Sequence, residues 1–136
     1  MKDNKNKTLL DVSKLSVTFN LKNATVGAVD NISFKVDRGE FLAVVGESGC
    51  GKSVSALSIL KLLPEKIAKI ESEHILFDGA DISKLSNEEL RTIRGKRISM
   101  IFQEPMTSLN PVLTVGDQLT EPLITHLKMT NEEANK

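Results

Sequence analysis

The sequence predicts an α/β fold, and three observations carry that expectation. Early segments such as LSVTFNL (15–21) and NISFKV (31–36) alternate apolar and polar residues, the period of half-buried strands. The run FLAVV (41–45) is uniformly apolar, as in a strand covered on both faces within a parallel sheet. Directly after it comes GESGCGKS (46–53), and then apolar residues recur at helical spacing.

Taken in chain order, residues 1–8 read as a polar, lysine- and asparagine-rich tail, with the folded region expected over 9–136. LSVTFNL is the first strand, a loop is expected over 20–26, and NISFKV is the second strand with Ile32, Phe34 and Val36 on one face. Asp37 to Glu40 form a turn, followed by FLAVV as a core strand. The helical pattern from Ser53 continues to Leu63 and stops at Pro64, whose ring cannot continue a helix. HILFDGAD (74–81) is a short strand entering an Asp-Gly turn. Ser86 and Glu89 form a capping-box pattern at the head of SNEELRTIRG, with Gly95 placed to end that helix. RISMIF (97–102) is a further strand, closed by Gln103, Glu104 and Pro105. SLNPV is a loop, and Thr114 caps a helix running to about His126. Thr130 and Glu133 repeat the capping-box pattern three residues from the last one.

Composition narrows the function classes. Of 136 residues, 40% are hydrophobic and 26% charged, as in soluble globular proteins. Eighteen basic residues balance eighteen acidic ones, so overall charge does not favour nucleic acid as a partner. Cys50 is the single cysteine, which rules out an intrachain disulfide. The N-terminus lacks the apolar stretch of a signal peptide, and the longest apolar runs are too short to span a bilayer. Membrane association is therefore expected only through a partner.

GESGCGKS fits the phosphate-binding pattern G-x-x-x-x-G-K-[ST], and it stands between an expected buried strand and an expected helix, the context that motif needs. Small residues let successive backbone N–H groups curl around phosphate oxygens, and the N-terminal end of the following helix favours an anion there. Lys52 supplies a positive charge for the β- and γ-phosphates, and Ser53 a hydroxyl for Mg²⁺. Gly46, Glu47, Ser48, Gly49, Cys50 and Gly51 complete the nucleotide-binding loop, with Cys50 a small filler at a variable position. The N-K-x-D run that GTPases use for guanine does not occur.

Two longer stretches narrow the family. AVDNISFKVDRGEFLAVVGESGCGKS and ISMIFQEPMTSLNPVLTVGDQ together resemble the nucleotide-binding subunits of ABC transporters. ELRTIRG and IFQEPMTSLNP are similar to the bacterial peptide/nickel import subfamily, the oligopeptide and dipeptide transport ATP-binding proteins. The resemblance extends from about residue 13 to 130. It implies an ABC-type P-loop NTPase fold: an antiparallel β region beside the start of a parallel core sheet, then the first helical-subdomain elements. It implies ATP and Mg²⁺ as ligands, Lys52 and Gln103 in catalysis, and Ser53 and Gln103 at the metal. Phe19 is the candidate for the aromatic side chain that stacks on adenine. The implied partners are a second ATPase subunit, membrane permease subunits and, indirectly, an external solute-binding protein. The implied location is the cytoplasmic face of the bacterial inner membrane.

The family's LSGGQ-type signature, its aspartate–glutamate strand and its switch histidine do not occur in the sequence. Asp78 ends an apolar strand, but Gly79 follows where the catalytic glutamate would stand, so Asp78 reads as a turn residue. His74 and His126 come too early for the switch position and read as surface or packing residues. The chain is accordingly expected to be the N-terminal part of a longer subunit that carries the binding half of the apparatus and lacks the general base. Two alternatives stay open: a non-transport ABC ATPase of DNA repair or translation, and a non-catalytic nucleotide-binding remnant.

Overall fold

The structure is a computed structural model that describes residues 7–102 and 109–135. It divides into two compact units, Met1–Ser86 and Asn87–Lys136.

The first unit is built on a long antiparallel hairpin of β1 (Thr8–Leu21) and β2 (Ala24–Asp37). Lys22 and Asn23 alone turn the chain, because Leu21 pairs with Ala24 and Asn20 with Thr25. The loop expected over 20–26 is thus a two-residue turn, braced by the Thr25 hydroxyl donating to Asn20 Oδ1 at 3.2 Å. At the other end pairing begins at Thr8, inside the segment expected as a tail, and Lys7 forms an ion pair with Asp37.

Alternation revealed only half of β1 because the strand breaks its period in mid-course. Val12, Leu15 and Val17 are all buried, yet Val12 and Leu15 stand three residues apart, which would send them to opposite faces of a regular strand. The register shifts between them, and Lys14 takes φ 51°. In β2, Asn31 takes φ 49°. Each irregular residue gives its amide to a serine of the opposite strand: Lys14 N–H to Ser33 Oγ at 2.8 Å, and Asn31 N–H to Ser16 Oγ at 2.9 Å. This paired bulge brings Val12 and Leu15 to the same side.

The second edge of β1 carries two short antiparallel strands. β3 (Ala68–Glu71) pairs with Ser16 to Phe19, and β4 (His74–Phe77) pairs with Leu10 to Ser13. The expected Asp-Gly turn joins β4 to β5 (Ala80–Asp81), with Asp78 at φ 52° and Gly79 at φ 82°, both left-handed as a tight hairpin requires. Arg38 forms an ion pair with the Asp78 carboxylate. A single 3-10 turn follows at Ile82–Lys84, capped by Asp81.

Helix α1 (Lys52–Ile59) packs against β1 and β2. It stops before the expected Leu63. Lys61 takes φ 48°, its N–H donates to Ser58 O at 3.0 Å, and Leu62 N–H donates to Leu57 O at 2.9 Å. That is a Schellman ending built on a lysine in the place usually held by glycine, so no residue type there signals a stop. Leu60 and Leu63 beyond the helix still join Val12, Leu15, Val17, Val29, Ile75, Phe77 and Ile82 in the core.

Two expected strands do not form. The FLAVV segment has no strand structure, and Phe41 and Val45 are fully exposed. A strand covered on both sides needs neighbours on both edges to take its N–H and C=O groups, and no strand among the described residues pairs with it. In the second unit RISMIF makes a single bridge, Arg94 to Ile98, and Ile101 is fully exposed.

The two later helices of the second unit follow their caps. α2 (Asn87–Arg91) is shorter than SNEELRTIRG suggests and passes into turns that reach Gly95 at φ 79°. α3 (Val115–Leu127) starts as expected, with Thr114 Oγ1 accepting from Asp117 N–H at 3.1 Å. The preceding loop is tied to it by Gln118, whose Oε1 accepts from Asn110 N–H at 2.7 Å while Nε2 donates to Asn110 O at 3.0 Å. α4 (Asn131–Ala134) carries the complete Thr130–Glu133 capping box.

Candidate functional site: the glycine loop ahead of the first helix

The loop over 46–53 runs into α1 through glycines that the geometry requires. Gly49 takes φ 82° and Gly51 φ 93°, in the region that side chains disfavour. Gly51 is buried against β2, and a Cβ there would stand 2.4 Å from Ala28 O. The third glycine of the motif thus lets the helix start press directly on the strand backbone. A Cβ on Gly46 would meet Cys50 Sγ at 2.6 Å.

Gly51 is also the N-cap of α1, and no side chain caps that end. The first N–H groups of a helix have no acceptor within it, so this end retains donors for an anion. Lys52 folds back over the loop, with Nζ donating to Gly46 O at 2.7 Å and Glu47 O at 2.6 Å, and standing 3.5 Å from Cys50 Sγ. Its charge is thereby held at the loop by main-chain carbonyls. Glu47, Ser48, Gly49, Cys50 and Ser53 are all exposed, and the Ser53 side chain is open to solvent. Uncapped amides, an ammonium held over the loop and an exposed hydroxyl suit a magnesium-bound polyphosphate, which brings most of its own oxygen ligands.

Phe19 sits in β1 between Val26 and Ala68, partly buried in the sheet. Gln103 lies outside the described residues. Asp78 is a turn residue. His74 is a packing residue of β4, its Nε2 3.5 Å from Asp11 Oδ1. The Lys35 ammonium, bonded to Asp11 at 2.7 Å, holds that carboxyl below its usual range, with His74 adding to the effect. His126 lies partly buried on α3. Two participants at the loop escaped the sequence altogether: the Ala28 carbonyl that fixes Gly51, and the carbonyls that hold Lys52. Main-chain groups have no residue-type signature to find.

Comparison with known proteins decides the family. The family described as ABC transporter matches residues 29–136. The chain belongs to the ABC transporter family. Membership carries the P-loop NTPase fold of that family, of which the described residues supply the antiparallel sheet, the loop and a few helices. Among curated relatives of this ABC family chain, the dipeptide transport ATP-binding protein DppD of Bacillus subtilis is 53% identical over 128 residues, covering 94% of this chain and 38% of the relative. The oligopeptide transport ATP-binding protein OppD of the same organism is 47% identical, covering 94% and 36%. The peptidoglycan transport ATP-binding protein YejF of Agrobacterium fabrum is 52% identical, covering 100% and 25%. The chain therefore spans between a quarter and two fifths of the length of these relatives. Among its described residues no helix is long and apolar enough to cross a membrane.

Proposed function

We propose that this chain is the nucleotide-binding part of a subunit that energises peptide import through ATP binding and hydrolysis. The observation that carries the proposal is the loop over 46–53, with its uncapped helix start and with Lys52 anchored to the Gly46 and Glu47 carbonyls. The names of the relatives, which transport dipeptides and oligopeptides, favour peptide over nickel as cargo.

In this proposal the amides from Gly49 to Ser53 bind the phosphates, and Lys52 turns from the loop carbonyls to the β- and γ-phosphate oxygens. Ser53 contributes its hydroxyl to the metal. Mg²⁺, when bound, would supply positive charge that offsets the negative charge of the polyphosphate. Gln103 is assigned to the metal and the attacking water, because a neutral amide oxygen ligates a hard cation without adding charge. Phe19 is assigned to the adenine face. The domain reading, one nucleotide-binding domain represented over 9–136, belongs to the same proposal. So do the partners: a second ATPase subunit and membrane permeases, which would hold the chain at the cytoplasmic face of the inner membrane.

Calorimetric titration with Mg-ATP tests the binding step. Saturable binding that Lys52→Ala weakens supports the loop assignment, whereas the absence of any heat overturns it. Co-purification with peptide permease subunits tests the transport step, and binding of ATP without any permease association would remove import from the proposal.

A further inference from the structure

We infer that the second unit holds an anion site for phosphate groups, built from residues other than those of the glycine loop. Arg91, Lys96, His126 and Lys128 line a cleft of about 370 Å³, together with Thr92, Thr125 and a single carboxylate, Glu88. Among the described residues, none of the three cations Arg91, Lys96 and Lys128 forms an ion pair. Arg91, Lys96 and Lys128 set against Glu88 leave the cleft with two net positive charges.

Helix ends explain only part of this arrangement. Arg91 lies in the last turn of α2 and Lys128 follows α3, positions where a cation complements the helix dipole. Lys96 lies at neither end, in the turns around Gly95. Two other carboxylates of the unit bond to their own helix caps, Asp117 with Thr114 and Glu133 with Thr130. Close packing at Gly95 fixes one wall, since a Cβ there would come within 3.1 Å of His126 Nε2. Three cations exceed the charge of one carboxylate, and the Arg91 guanidinium presents the planar donor fork that suits a tetrahedral oxyanion. The Thr125 hydroxyl adds a neutral donor, while that of Thr92 donates to Glu89 O at 2.7 Å. The shared chemistry is a phosphate group, whether of a free polyphosphate or of an anionic lipid headgroup.

The test titrates the full chain with inorganic pyrophosphate while amide resonances are followed by NMR, and separately sediments it with phosphatidylglycerol or phosphatidylcholine vesicles. Shifts at Thr92, Gly95 and Thr125 with pyrophosphate identify a free-phosphate site. Sedimentation with phosphatidylglycerol but not phosphatidylcholine identifies the headgroup. In either arm the Lys96→Gln/Lys128→Gln variant should bind at least about fivefold more weakly, and added salt should weaken binding further. Mg-ATP affinity should be unchanged in that variant, which separates this site from the glycine loop. Shifts confined to residues 46–53, no response in either arm, or undiminished binding by the variant would overturn the inference. The wild-type titration stands without the variant should the substitutions impair folding.

Discussion

The carbonyl oxygen of Ala28 lies 2.4 Å from the point at which any side chain on Gly51 would begin. Backbone of β2 thus touches the start of α1 with no room between them. Gly51→Ala would have to open that contact and also hold a side chain at φ 93°. The expected result is a loss of stability on the order of 2 kcal/mol, read from chemical denaturation, together with weaker nucleotide binding. An unchanged denaturation midpoint would mean that α1 does not pack this way.

The Lys52 ammonium donates to both the Gly46 and the Glu47 carbonyls. Lys52→Ala removes a charged donor, and Mg-ATP affinity should fall about 10- to 100-fold in a calorimetric titration. Cys50 beside it is exposed, so a maleimide should label it and Mg-ATP should slow the labelling. Equal rates with and without nucleotide would argue that the loop stays empty.

Asp81 holds the β4–β5 turn through its carboxylate. Oδ1 accepts from Ile75 N–H at 3.2 Å, Ser83 N–H at 3.1 Å and Ser83 Oγ at 2.7 Å, while Lys84 Nζ lies 2.9 Å from Oδ2. Burial pushes the carboxyl up, but Ser83, Lys84 and the two amides outweigh it and hold the group well below its ordinary range. A depressed folded value stabilises the fold above the unfolded value of about 3.9, and that contribution is lost as pH falls below it. The wild-type denaturation midpoint should therefore drop between about pH 4 and pH 2. Asp81→Asn should start lower at pH 7 and flatten this part of the profile. An equally steep acid limb in the variant would place the effect on other carboxylates.

Leu15 and Phe41 separate the two kinds of apolar residue in this chain. Leu15 is fully buried and Phe41 fully exposed. Leu15→Ala should cost about 2–5 kcal/mol in urea denaturation. Phe41→Ser should leave stability within about 0.5 kcal/mol and raise solubility. A large loss from Phe41→Ser would show that the FLAVV segment packs in solution.

What could be read from the sequence depended on how local its cause was. The Asp78–Gly79 turn, the Thr114 cap of α3 and the Thr130–Glu133 box involve neighbours within three residues, and each appears as expected. FLAVV failed because an apolar run states the environment a segment favours, not whether pairing strands stand beside it. The extent of β1 failed because its period breaks at Lys14, a residue type with no preference for φ 51°. At the candidate site the loop was legible from residue types, while its fixation through Ala28, Gly46 and Glu47 carbonyls was not.

The crossed serine bonds of the β1–β2 hairpin have a consequence for how that hairpin assembles. If one strand slid by a residue, Ser16 would leave Asn31 and Ser33 would leave Lys14, two amides would lose their acceptors, and Val12, Leu15 and Val17 would no longer face inward together. Misaligned pairings therefore gain no foothold from partial agreement, and the ribbon should close in one alignment without a ladder of shifted intermediates.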